Sequence, residues 1–98
     1  MGAVVYDIPE WIMELAARYG IEPYEIMQVL SGPRPRLPRK AVGAGGLTVL
    51  MIIGRTSSGA PLAVLVRTLG KFDHQVVGIM PVTGELLAEF EKWEEGHE

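Results

Sequence analysis

A chain of 98 residues with a net charge of −3 and no cysteine has room for one hydrophobic core, and none for disulfide or thiol chemistry. Two histidines are too few for a usual zinc site, and the acidic balance speaks against a dedicated nucleic-acid binder. The longest apolar run, Leu47 to Ile53, is interrupted by Thr48 and falls far short of the ~20 residues of a membrane span. No basic stretch followed by an apolar one opens the chain, so the sequence reads as a cytoplasmic single domain over 1–98.

Residues 3 to 6 (AVVY) are too few to decide between a short strand and an extended arm. A first helix follows. Asp7 is its expected cap, Pro9 lies in the first turn and Glu10 stands three residues after the cap. Trp11, Ile12, Leu15, Ala16 and Tyr19 keep helical spacing, and Gly20 supplies a left-handed stop. A second helix starts near Glu22-Pro23, buries Ile26, Val29 and Leu30, and ends at Gly32. Glu22 and Glu25 fall in its first turn, where negative charge is favoured.

Residues 32–46 (GPRPRLPRKAVGAGG) are punctuated by Pro and Gly and read as a loop, with an edge strand open as an alternative over Leu37 to Val42. Arg34, Arg36, Arg39 and Lys40 place four of the nine cations in seven residues. The segment suits phosphate binding, but a solubilising connection between helix and sheet is the favoured reading; Pro35 to Lys40 also fits a PxxPxK polyproline ligand, a match frequent by chance. Leu47 to Arg55 and Pro61 to Thr68 flank Thr56-Ser57-Ser58-Gly59 and predict a β-hairpin. His74 to Met80 predicts a further strand. Thr83 is then the expected hydroxyl cap of a last helix with the stripe Leu86, Leu87, Phe90 and Trp93. Six of the twelve acids, Glu85 to Glu98, fall on this last stretch, so the chain has a basic segment and an acidic tail. The order predicts an α+β domain, with two N-terminal helices, a three- to four-stranded antiparallel meander, a C-terminal helix, and the helices on one sheet face.

Candidate chemistry is sparse. His74, the one internal histidine, has the right titration range for acid–base work, but Asp73 and Gln75 beside it make no more than a hydrogen-bonded turn. Arg55 and Arg67 lie on the hairpin arms as ordinary strand-end charges, although Arg55 precedes a turn able to join it in anion binding. No phosphate loop, glycine fingerprint or Ser-His-Asp order appears, so no cofactor and no metal is called for.

In order, Arg18-Tyr19-Gly20-Ile21, EPYEIMQVL, IIGRTSSGAPLAVLVRT and QVVGIMPVT resemble the BrnT-type toxins of bacterial toxin–antitoxin pairs, over roughly residues 10 to 93. Those proteins carry a Lys-His-Gly-Val-like turn, an "xxEExxEVL" helix, an "IGRTxxGxxLxVVxx" hairpin, a "RIISAR" strand and a helix opening with "AT". The resemblance implies a RelE-like, metal-independent ribonuclease fold neutralised by an antitoxin partner. Carried across, the Lys-His pair becomes Arg18 and Tyr19, and the two arginines of the strand become Gln75 and Met80. The glutamate of the last helix becomes Leu86, and the late aromatic is kept as Phe90. Arg18, Arg55 and His74 are the residues left to act in catalysis, and Arg34, Arg36, Arg39 and Lys40 to bind nucleic acid. Two missing cations at a developing phosphorane charge would lower the rate by orders of magnitude. The expectation is a divergent BrnT-like protein with reduced or absent ribonuclease activity that acts through a protein partner. The alternative is an active ribonuclease toxin.

Overall fold

Gly20, at φ +72°, turns the chain out of its first helix, a conformation that costs a residue with a Cβ. The computed structural model describes residues 5–42, 46 and 48–97. Ala3 and Val4 of the expected arm, residues 43–45 of the loop, Leu47 of the hairpin and Glu98 of the acidic tail lie outside the described residues. The elements are β1 (Val5–Asp7), α1 (Glu10–Arg18), α2 (Pro23–Ser31), β2 (Leu37–Val42), β3 (Thr48–Arg55), β4 (Pro61–Thr68), β5 (Asp73–Pro81) and α3 (Gly84–Glu95).

The class is α+β, with two N-terminal helices and one C-terminal helix as read from the sequence. The sheet departs from that reading. It has five strands in the order β1-β5-β4-β3-β2 and is mixed. β2 to β5 form the antiparallel meander, and β1 joins its end in parallel, with Tyr6 opposite His74. Leu37 to Val42 is the edge strand β2, so the basic segment is only partly loop. Pro38, which has no N–H to give, sits on that edge opposite Ile52.

Helices cover both faces of the sheet, not one. Strand alternation sends Ile52, Val64 and Ile79 to one side and Ile53 and Ala63 to the other. On the first side they meet Ile12 and Ala16 of α1 and Ile26, Val29 and Leu30 of α2, all buried. On the second, Ile53, Ala63 and Val82 meet Phe90 of α3, with Leu37, Met51 and Trp93 around them. A bulge between Leu65 and Val66, where Leu65 faces Gly78 and Val66 faces Val76, keeps Val76 and Ile79 on the same side.

The caps also differ from expectation. Asp7 belongs to β1, and Pro9 precedes α1 as its cap residue. Thr83 precedes α3 in extended conformation without a side-chain cap bond. The Glu22 N–H donates to Glu25 Oε1 at 2.9 Å, which closes the first turn of α2. Trp11 and Tyr19, which share the helical spacing of α1, are about half exposed, because the inward face of α1 is set by Ile12 and Ala16.

Gly32 ends α2 with its N–H on the Gln28 carbonyl at 2.9 Å. A Cβ at this position would fall inside contact distance of the Gln28 carbonyl oxygen and 3.2 Å from its carbon. Backbone cannot swing away as a side-chain tip can. Gly32→Ala is therefore expected to cost about 2 kcal/mol in a urea denaturation curve, the scale of an overpacked contact.

Candidate functional site

Arg55 is the last residue of β3 and turns toward α3. Its Nε donates to both carboxylate oxygens of Glu94, at 3.1 and 2.9 Å, and its Nη1 donates to the Gly59 carbonyl at 2.9 Å. Glu91 stands 3.7 Å from Nη2, and the guanidinium lies 5.5 Å from the centre of the Phe90 ring. The Glu94 hydrogen bond is the main cause that holds Arg55 above its ordinary pKa, against the opposing effect of burial. Behind it, the hairpin turn is self-satisfied. Buried Thr56 accepts from the Ala60 N–H at 3.2 Å through Oγ1 and shares a hydrogen bond with Ser58 Oγ at 2.9 Å. Arg55 is thus a tie between sheet and helix with its charge already matched.

His74 is far from this corner. It pairs with Thr68, whereas Arg55 pairs with Pro61, and the seven residue steps along β4 between them span roughly 23 Å. Its ring stacks on Tyr6 with centroids 5.5 Å apart, and Thr68 Oγ1 lies 3.4 Å from Nδ1. Tyr6 packs on the core beneath α1 and α2, so His74 and Arg55 also belong to opposite faces. Arg18 is the last residue of α1, exposed, where a cation complements the helix dipole. Arg55 and His74, two of the three expected catalytic residues, do not share a site.

The basic segment is dispersed in the same way. Arg36 donates through Nη1 to the carbonyls of Leu30 and, at 3.4 Å, Val29, satisfying the end of α2. Arg39 and Lys40 are neighbours on β2, opposite Met51 and Leu50, and therefore project to opposite faces. Arg39 meets Glu89 of α3 at 2.7 Å, an exposed pair that contributes about 0.5 kcal/mol at most. Lys40 borders a shallow depression with Thr48, Leu50, Val66 and Arg67. Arg34 alone of the four turns into a cleft beside Arg55.

That cleft has two connected parts. The inner one, about 230 Å³, is lined by Gln28, Gly32, Pro33, Arg34, Arg55 and Ser57. The outer one, about 660 Å³, adds Pro35, Glu94 and His97 to the shared Pro33, Arg34 and Arg55. Gln28, Ser57, Glu94 and His97 were not among the expected site residues. The spacing of Trp93 and His97 was the readable signal, since residues four apart on a helix meet. Their rings stack at 4.1 Å.

Toward β5 the face that carries α3 is less covered. Glu89 and Glu94 anchor α3 to Arg39 on β2 and Arg55 on β3. Leu65 on β4 and Gly78 on β5 stay half-buried, and Met80 is 38% exposed. Beside them Arg67 Nε donates to Gln75 Oε1 at 2.8 Å, and Gln75 Nε2 approaches Asp7 Oδ2 at 3.4 Å. An apolar strip with a polar border results.

No protein-family model, no curated protein and no solved structure matches this chain. Among the described residues no helix is long and apolar enough to cross a membrane.

Proposed function

We propose that the chain is a divergent BrnT-like protein of the cytoplasm that acts by binding an antitoxin-like protein partner, with ribonuclease chemistry reduced or absent. The observation that carries this reading is the separation of the candidate catalytic groups. Metal-independent RNA cleavage needs a base at the 2′-hydroxyl and cations at the phosphorane within hydrogen-bond reach of one phosphate. Arg55 and His74 lie at opposite ends of the sheet and on opposite faces, and the Arg55 charge is matched by Glu94. The strip of Leu65, Gly78 and Met80 offers the partner an apolar centre with a polar rim.

Incubated with RNA, the purified protein is expected to leave it intact, and its overexpression is expected not to arrest bacterial growth. Cleavage that disappears in both Arg18→Ala and His74→Ala proteins of unchanged melting temperature would overturn this reading. The partner is tested by co-purification of the tagged protein with an antitoxin-like chain. Met80→Glu, at an exposed position, should change stability by less than about 0.5 kcal/mol and abolish the complex.

A further inference from the structure

We infer that the cleft between the end of α2, the β3–β4 turn and the end of α3 binds a phosphoryl group, with Arg34 as its charged anchor and His97 as a second ligand. The inference rests on the surplus of hydrogen-bond donors there. Glu94 is engaged by Arg55 Nε, and the Gly59 carbonyl is engaged by Arg55 Nη1. Gln28 Oε1 accepts from the Ser57 N–H at 3.0 Å, which fixes the amide so that its Nε2 hydrogens are left to donate. Arg34 makes no ion pair and donates to no acceptor among the described residues, and the Ser57 hydroxyl has no partner among them.

His97 is oriented by two contacts. Its Nδ1 lies 2.7 Å from the Trp93 carbonyl oxygen, which can only accept, so Nδ1 carries a proton and Nε2 of the neutral ring is left as an acceptor for the P–OH of a protonated phosphate. The stack on the Trp93 ring, inclined by 16°, fixes the plane of the imidazole. Arg34 borders both parts of the cleft, with the donors Gln28 Nε2 and Ser57 Oγ on the inner part and the acceptor His97 Nε2 on the outer. The complementary ligand is small and anionic, rich in acceptors and carrying one hydroxyl, which describes a protonated phosphate or phosphomonoester. Arg supplies the forked donors that fit it. A carboxylate from α3 does not compete, because Glu91 and Glu94 face Arg55.

The inference is independent of the partner reading, since phosphate binding without RNA cleavage leaves both standing. The test follows the imidazole resonances of the full chain by NMR during titration with inorganic phosphate at constant ionic strength. His97 signals should move in a saturable way while those of His74, on the far end of the sheet, stay in place. Arg34→Gln, at an exposed position, should weaken binding about tenfold through loss of one charge-assisted contact, and His97→Ala should weaken it less. Titration with a nucleoside 3′-monophosphate then separates the sources: tighter binding than inorganic phosphate assigns a nucleotide, and equal binding assigns free phosphate. Parallel movement of His97 and His74, no movement of His97, or full binding by Arg34→Gln would overturn the proposal.

Discussion

Phe90→Ala is expected to remove about 4 kcal/mol of folding stability, the cost of deleting a fully buried phenyl ring and leaving a cavity. Phe90 is 0% exposed and is the one fully buried side chain that α3 contributes. Its buried partners Ile53, Ala63 and Val82 make a small cluster, and Leu37, Met51 and Trp93 around it can close the space the ring leaves only in part. The loss also removes the 5.9 Å stack on Trp93 and the contact beneath the Arg55 guanidinium. For a domain of this size, 4 kcal/mol is a large share of the usual total and lowers the melting temperature by roughly 20 °C. Amide exchange should show α3 opening first, because the core beneath α1 and α2 lies on the other face and keeps its contacts. A loss under about 1 kcal/mol by thermal and urea denaturation would mean that α3 is not docked on the sheet.

The local elements were legible where the sequence repeats a period. The hairpin of β3 and β4 follows from two β-rich runs around Thr-Ser-Ser-Gly, and Pro38 marks β2 as an edge. Two-sided cover was also written in the sequence. Leu62-Ala63-Val64-Leu65-Val66 is a continuous apolar run, the mark of a strand buried on both faces, although antiparallel order suggested one. The parallel pairing of β1 with β5 was not legible. Three residues carry no readable period, and their register depends on a partner strand 68 positions away.

The site was less legible than the fold, for the same reason of distance. Arg55 stood out as a cation before a polar turn, but its role depends on Glu94, 39 residues later, which looked like one more acid on a solvated helix. Arg36 read as part of a basic loop, and its role is decided by the carbonyls at the end of α2. Charge clustering in sequence did not survive β2, because a strand sends adjacent residues to opposite faces. Conversely His97, which the sequence did not single out, gained a fixed orientation from Trp93.

Arg55→Met is expected to cost about 3 kcal/mol, although no substrate contact is lost. The side chain is 21% exposed and its partner Glu94 is 17% exposed, so removing the cation leaves a largely desolvated carboxylate without its donors. Glu94→Gln should cost less, because the amide retains an acceptor for Arg55 Nε. A double-mutant cycle over the two positions should return a coupling of about 1–3 kcal/mol, measured by urea denaturation. The raised pKa of Arg55 fixes the pH behaviour of its half of the pair. A cation whose folded pKa exceeds its unfolded one contributes fully below the unfolded value and loses that contribution only as pH rises through the folded value. The guanidinium therefore stays charged at every pH used for such measurements, and Arg55→Met should lower stability similarly at pH 7 and pH 9. This bears on function. If the chain did arrest growth, loss of arrest in an Arg55 variant would follow from unfolding alone, and would assign no catalytic role. Arg55→Lys sharpens the distinction: it keeps the charge and loses the fork, so it should recover only part of the 3 kcal/mol. A coupling near zero between positions 55 and 94 would return Arg55 to the set of free cations, and with it the case for chemistry at this corner of the sheet.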